Sequence, residues 1–326
     1  MKNSNTVEKI IEIIEKSGQA TVNDLTSALR VSRQLVHRRI ARLIEEGILS
    51  KRGSSPKVFY VLSEENTSEN KTDTLDKDTV SVINSNFLMI TPSGEKKEGV
   101  EAFREWCEKR NDNFEKTAEE YVKSIEKYSK YKENDLIGGM HKMKSTFKDV
   151  FLDKLFYLDF YSIERFGKTK LGQLLLYAKQ SQDRSLIKEL VIEIKPKIEK
   201  IIKKYNIEAV GFIPPTVKRE IQLMKEVERQ LSLNIPSIHI LKIKTGISIP
   251  QKTLTKLEDR VENAKNTIFV DDHRGYERMV LIDDALGSGA TLNEVAKKIK
   301  NQKVAKEIIG VAITGSFSGF EVISEV

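Results

Sequence analysis

Apolar positions recur along this chain with changing period, and each change marks an element. Near the N-terminus Val7, Ile10, Ile11, Ile13 and Ile14 fall at helical spacing until Gly18, and Leu25, Ala28 and Leu29 form a second, shorter face after Thr21. Val31 and Ser32 make a turn that ends in a good N-cap residue, after which Val36, Ile40, Leu43 and Ile44 line one side of a third helix. ILSKR, a GSSP tip and KVFYVL then read as a two-stranded hairpin. From Ser63 to Asn86 the chain is polar, charged and poor in aromatics, the composition of a flexible tether.

Past the tether, Phe87 to Ile90 predicts a short strand and TPSGE a turn, with a helical region from about Val100. Phe114, Ala118, Tyr121, Ile125 and Tyr128 form one aromatic-lined stripe there. The ordinary meaning of such a stripe is a packed core or a dimer seam; the sharper one is a platform for stacking bases. Phe151 to Ala178 also reads as helical. Four short apolar runs follow the pattern of buried parallel strands: Ile207–Pro215, Ile235–Lys244, Met279–Ile282 and Glu307–Thr314. Helical faces lie among them, with Ile221, Met224, Val227 and Leu231 inward in one and Val295, Ala296 and Ile299 in another. The expected fold class is therefore α/β. Its expected domains are a three-helix head with a hairpin over 1–62, a tether over 63–86, a mostly helical hood or dimerisation segment over 87–165 and a parallel-sheet domain over 166–326.

Composition narrows the class. A chain of 326 residues exceeds one average domain, and 39% hydrophobic with 32% charged residues describes a soluble globular protein. No apolar run is long enough to span a bilayer and MKNSNTVEK lacks a signal-peptide core, so a cytoplasmic protein with no membrane partner is expected. A single cysteine, Cys107, excludes an internal disulfide and a thiolate cluster. His37, His141, His239 and His273 are scattered without ligand spacing, so no metal held directly by protein ligands is expected. A net charge of +7 permits nucleic-acid or phosphate binding.

The stretch that carries chemistry is Met279–Leu292, MVLIDDALGSGATL. An apolar strand runs into two carboxylates, a small-residue turn and a helix start. Backbone N–H groups over Gly287, Ser288, Gly289, Ala290 and Thr291 suit a phosphate at the positive end of the helix dipole. Asp283 and Asp284 repel a bare phosphate, so the ligand must also bring donors or a metal. A dinucleotide loop fits poorly, because the third glycine is missing and the acids precede the turn. The Gly-Lys-Ser/Thr of a Walker loop is absent, and an ordinary capped turn stays open as the plain alternative.

Strand, Asp-Asp, two variable residues, a small triplet and Thr resemble the PRPP-binding motif of type I phosphoribosyltransferases. Gly287-Ser288-Gly289 stands where that family often has Thr-Thr-Gly. The resemblance implies a phosphoribosyltransferase-like parallel-sheet domain in which Asp283 and Asp284 take the ribose and Ala285 and Gly287 to Thr291 line the phosphate site. It also implies magnesium carried on PRPP, and a diphosphate loop at Thr216, Lys218 and Arg219 after the Pro-Pro turn. Gln251, Leu254, Glu258, Arg260, Asn263 and Phe269 are similar to a series in a mobile loop of the ComF branch, and Lys252 and Arg260 are the loop cations this implies for catalysis. Arg219 is retained in the second ComF-like segment, PPTVKREIQ, where Glu220 and Ile221 replace Gly and Phe. The likeness spans about Phe151 to Ile313, with Phe317 a candidate neighbour of the acceptor base and either 100–128 or 151–178 a candidate hood.

The first 62 residues resemble a winged helix-turn-helix. That implies DNA as a partner, with Arg33, Gln34, His37 and Arg38 near base edges and Lys51, Arg52 and Lys57 near phosphates. A protein-interaction or dimer module, or a merely solvated basic face, stays open beside it. Three readings follow from the whole: a ComF-like phosphoribosyltransferase on a DNA-binding head, a regulator, with the domain order of purine repressors, whose second domain senses PRPP without turnover, or an enzyme that the winged helix recruits to nucleic acid. A homodimer is expected for each.

Overall fold

The computed structural model describes residues 4–54, 57–63, 75–215, 217, 219–243, 249 and 253–316. The chain divides into two units, Met1–Thr74 and Leu75–Val326. In the first, α1 (Ser4–Ser17), α2 (Val22–Leu29) and α3 (Arg33–Glu45) precede a hairpin of β1 (Leu49–Ser54) and β2 (Lys57–Leu62). Both short helices start on side-chain caps. Thr21 and Asp24 close a capping box at α2, and Ser32 accepts from the Leu35 N–H at α3. Ile10, Ile14, Leu25, Val36, Ile40, Leu43 and Leu49 make the core, and a bridge from Ala20 to Tyr60 ties the hairpin back to the start of α2. Ala28 and Ile44, expected inward, are exposed at the ends of their helical faces.

The second unit begins inside the expected tether. Residues 64–74 lie outside the described ones, but Lys77–Asn86 is a helix, α4, whose N-cap Asp76 accepts from the Asp78 and Thr79 N–H groups. Capping by Asp76 and burial of Thr79 and Ile83 outweigh a composition that reads as linker. A hairpin of β3 (Leu88–Ile90) and β4 (Lys96–Glu98) leads to α5 (Gly99–Glu108) and α6 (Phe114–Ser129). The aromatic stripe of α6 packs inward: Tyr121 lies 5.1 Å from Phe103 and 5.8 Å from Phe87 between ring centroids. It is a packed core, so it gives no basis for the expected homodimer.

The remaining elements are β5 (Lys132–Glu133), β6 (Leu136–Gly138), α7 (Met140–Thr146), β7 (Lys154–Phe160), β8 (Ser162–Ile163), β9 (Gly167–Lys168), α8 (Lys170–Ser181), α9 (Arg184–Tyr205), β10 (Ala209–Phe212), α10 (Leu223–Leu231), β11 (Ser237–Lys242), α11 (Leu257–Thr267), β12 (Ile268–Asp271), β13 (Tyr276–Leu286), α12 (Ala290–Asn301) and β14 (Ala305–Gly315). Among the described residues eight strands form one sheet in the order β12-β11-β10-β13-β14-β7-β6-β5. β11, β10, β13, β14 and β7 are parallel neighbours, and the outer strands on each side are antiparallel. Two sequence boundaries move. KLFYLDF, expected within a helical stretch, is strand β7, because Leu155, Phe156, Tyr157 and Leu158 alternate between the two faces of the sheet. The boundary drawn at residue 165 therefore separates β5, β6 and β7 from the sheet to which they belong.

Successive residues of the central strand serve different cores. Met279 and Leu281 join α5, α6 and α12 on one face, while Val280 and Ile282 join α8, α9 and α10 on the other. β10 is followed by α10 and then β11 on one side, whereas β13 is followed by α12 and then β14 on the other. The connections diverge between β10 and β13, which opens a crevice at the carboxyl ends of those two strands.

Candidate functional site

A cleft of about 190 Å³ occupies that crevice. One wall is Ile213–Pro215 with Val217 and Arg219, and the other is Asp283–Thr291. Taken by itself the cleft lies below the ~300 Å³ from which pockets for drug-sized ligands usually start.

The acids are held by more backbone than expected. β13 does not stop at Ile282 but runs through both aspartates to Leu286, paired with β14 through Ala285 and Thr314. Strand alternation therefore carries Asp284 to the face covered by α8 and α10. There it meets Lys179, whose ammonium lies 2.5 Å from a carboxylate oxygen, with both side chains about four-fifths buried. Asp283 accepts the backbone N–H of Asp284 at 2.8 Å. Burial first, and the neighbouring carboxylate second, push Asp283 well above the ordinary carboxylate range.

Beyond the acids the chain turns into α12. Its N-cap, Gly289, has φ of 75°, a left-handed conformation in which a side chain is strained, and no side chain caps the helix. The Ser288 hydroxyl accepts only a long bond, 3.4 Å, from Ala290 N–H. Gly287, Ser288, Gly289, Ala290 and Thr291 all line the cleft, so a helix N-terminus without a side-chain cap faces the space in front of the acids.

The opposite wall differs from the sequence expectation. α10 starts at Leu223 rather than near Val217, so Arg219 sits in the irregular stretch before the helix and not in its first turn. That stretch is pinned: Ile221 N–H donates to the Gln182 side chain at 2.9 Å, and Gln222 donates to the Arg219 carbonyl at 3.0 Å. Thr216, Lys218, Gln251, Lys252 and Phe317 lie outside the described residues. Arg260 is not loop-borne. It belongs to α11, is 7% exposed, donates Nε to the Leu254 carbonyl at 2.7 Å and lines the cleft. Burial lowers its pKa from the usual arginine value. A wider groove of about 1000 Å³ shares Pro214, Pro215, Val217, Arg219 and Gln222 with the cleft and continues past Lys225, Arg229 and Lys242. Among the described residues no three His, Cys, Asp or Glu side chains group as a metal site.

The structure thus brings Asp283, Asp284, Ala285, Gly287 to Thr291, Arg219 and Arg260 to one cleft, and it adds Lys179, which the motif alone did not reveal. A signal for Lys179 was present. It lies four residues after Leu175 and eight after Leu171, both buried, so helical periodicity places a lysine on a core-facing stripe.

In the first unit Arg33, Gln34, His37 and Arg38 are exposed together on α3, while Val36, Ile40 and Leu43 hold its other side. Lys51 is exposed on β1; the Arg52 and Lys57 side chains lie outside the described ones. Arg42 is spent on an ion pair with Glu46 at 2.7 Å. Among the described residues no helix is long and apolar enough to cross a membrane.

Comparison with known proteins bears chiefly on this head. No curated protein matches the chain. Among solved structures the chain is similar to the adenine phosphoribosyltransferase of Leishmania tarentolae, with 14% identity over 40% of this chain and 74% of that one and a TM-score of 0.23, a likeness too slight to assign an activity. Residues 4–50 match the family model described as winged helix-turn-helix DNA-binding. The N-terminal unit is a winged helix-turn-helix.

Proposed function

We propose that the protein is a PRPP-binding, ComF-like phosphoribosyltransferase whose N-terminal winged helix binds DNA. The observation that carries this is the convergence, at the divergence point of a parallel sheet, of two carboxylates with an uncapped helix N-terminus. The carboxylates suit ribose hydroxyls, which donate, and the helix N-terminus suits a 5′-phosphate, which accepts. A pentose phosphate offers both on one molecule.

On this proposal the reaction is displacement of diphosphate from the ribose C1 by a nitrogen nucleophile, through a cation-like sugar. Asp283 and Asp284 orient the ring, and Arg219 and Arg260 offset charge on the departing diphosphate. Lys218, Thr216 and Lys252, assigned to the same task by motif, lie outside the described residues. Magnesium would come with PRPP, held by oxygens of the ligand rather than by protein side chains, and would supply neutralisation of the diphosphate charge. No side chain acts as a covalent nucleophile.

A second reading, a PRPP sensor without turnover, is favoured by the winged helix carried on the same chain. The two readings separate when the full chain is incubated with labelled PRPP, magnesium and a panel of bases. Acceptor-dependent release of diphosphate marks an enzyme, saturable binding without release marks a sensor, and no binding refutes both. For the head, the expected result is a gel shift that weakens steeply with salt.

A further inference from the structure

Lys179 is the least expected group in the cleft. A lysine in the last turn of α8 has an ordinary explanation, favourable interaction with the negative end of the helix. Its placement goes further. The ammonium is drawn 2.5 Å from Asp284, a residue far along the sequence, and lines the cleft together with Asp283 and the phosphate-facing turn. The end of α8 is itself fixed, because Gln182, its C-cap, accepts from Ile221 N–H on the opposite wall. Lys179 is thus held at the seam between the two walls.

Charge explains why a cation is needed there. The acid pair stands in front of a turn suited to a phosphate, an arrangement that repels the ligand as far as the charge of the pair is left unmatched. Lys179, Arg219 and Arg260 line the cleft with Asp283 and Asp284, and Lys179 is bonded directly to the pair through Asp284.

Resting on the phosphosugar reading of the cleft, we infer that Lys179 is a resident counter-cation of the acid pair, holding Asp284 in place so that a pentose 5-phosphate binds with no divalent cation on the carboxylates. Magnesium then enters with diphosphate alone. Lys179 is a positioning residue and takes no part in bond making.

The test is calorimetric titration of the full chain with ribose 5-phosphate, in EDTA and in magnesium, for the unaltered protein, K179M and K179R. The unaltered chain binds equally in both buffers. K179M loses about tenfold or more in EDTA, the equivalent of about 1.4 kcal/mol, and recovers affinity in magnesium. K179R, which keeps the charge, stays close to the parent. Failure of the unaltered chain to bind in either buffer overturns the phosphosugar reading, and this inference with it. Binding that requires magnesium in the unaltered chain, or that is equal in K179M and parent in EDTA, overturns the role given to Lys179 while leaving that reading in place. The comparison of buffers in the unaltered chain needs no variant to fold.

Discussion

The two units place their chemistry in opposite ways. On α3 of the head, Arg33, Gln34, His37 and Arg38 project from a helix surface whose far side is packed, and each is open to water. In the cleft, Asp284 reaches its partner only because β13 runs on past Ile282 and α8 crosses the sheet behind it. Exposed groups of the first kind act through long-range charge and are screened by salt, whereas the second kind are tuned by burial and one close partner. The difference teaches that this chain joins an open basic helix face to a buried acid site set by one close partner.

The sharpest break with that contrast comes from removing the pocket acids. Changing Asp283 and Asp284 together to Asn is expected to abolish stabilisation by PRPP with magnesium in a thermal-shift assay. DNA binding by the head should stay unchanged. A double variant that keeps the full PRPP-dependent rise contradicts the assignment of both residues.

Next in size is the turn. Gly289→Val forces a β-branched side chain into a left-handed backbone, which costs about 1–2 kcal/mol or more. It also moves the N–H groups that face the cleft. Binding of PRPP should fall by at least about tenfold, on the order of 1.4 kcal/mol, as read by equilibrium titration. Gly275→Ala, outside the cleft lining, is the control, since an added methyl group there meets no atom within 4 Å and its backbone is not left-handed.

On the head, Arg33→Ala with Arg38→Ala should weaken DNA binding by about 1–3 kcal/mol for each arginine that pairs with a base edge, with a shallower salt dependence. A gel shift unchanged in strength and salt slope returns the head to a protein-interaction role. The smallest expected effect is on pH. Asp283 has a folded pKa above its unfolded value of 3.8, so the stability it contributes is full at acid pH and is lost as pH rises through the folded value. Asp283→Asn should remove that downward slope from the melting temperature of the second unit. The Arg33 and Arg38 variants should leave it in place.

What the sequence disclosed follows the same contrast. Helical spacing of Val36 and Ile40 fixed which side of α3 faces water, and MVLIDD followed by GSGAT marked a strand, a turn and a helix start without any tertiary information. Less legible were features that depend on distant contacts. α4 forms where composition reads as tether because Asp76 caps it and Ile83 is buried. β7 lies within a run read as helix because its face-to-face alternation is meaningful only with β14 beside it. Arg260 was expected in a loop, yet α11 carries it, fixed to the Leu254 carbonyl. Lys179 was marked by its core-facing position, but its partner was not, since pairing with Asp284 depends on how α8 crosses the sheet.

The account rests on one event, the entry of a phosphorylated pentose into the cleft at the end of β13. Calorimetric titration of the full chain with PRPP and magnesium tests it most directly. The predicted result is saturable binding at one site per chain, lost in the Asp283→Asn, Asp284→Asn protein. A flat titration, or binding that survives in the double variant, contradicts it.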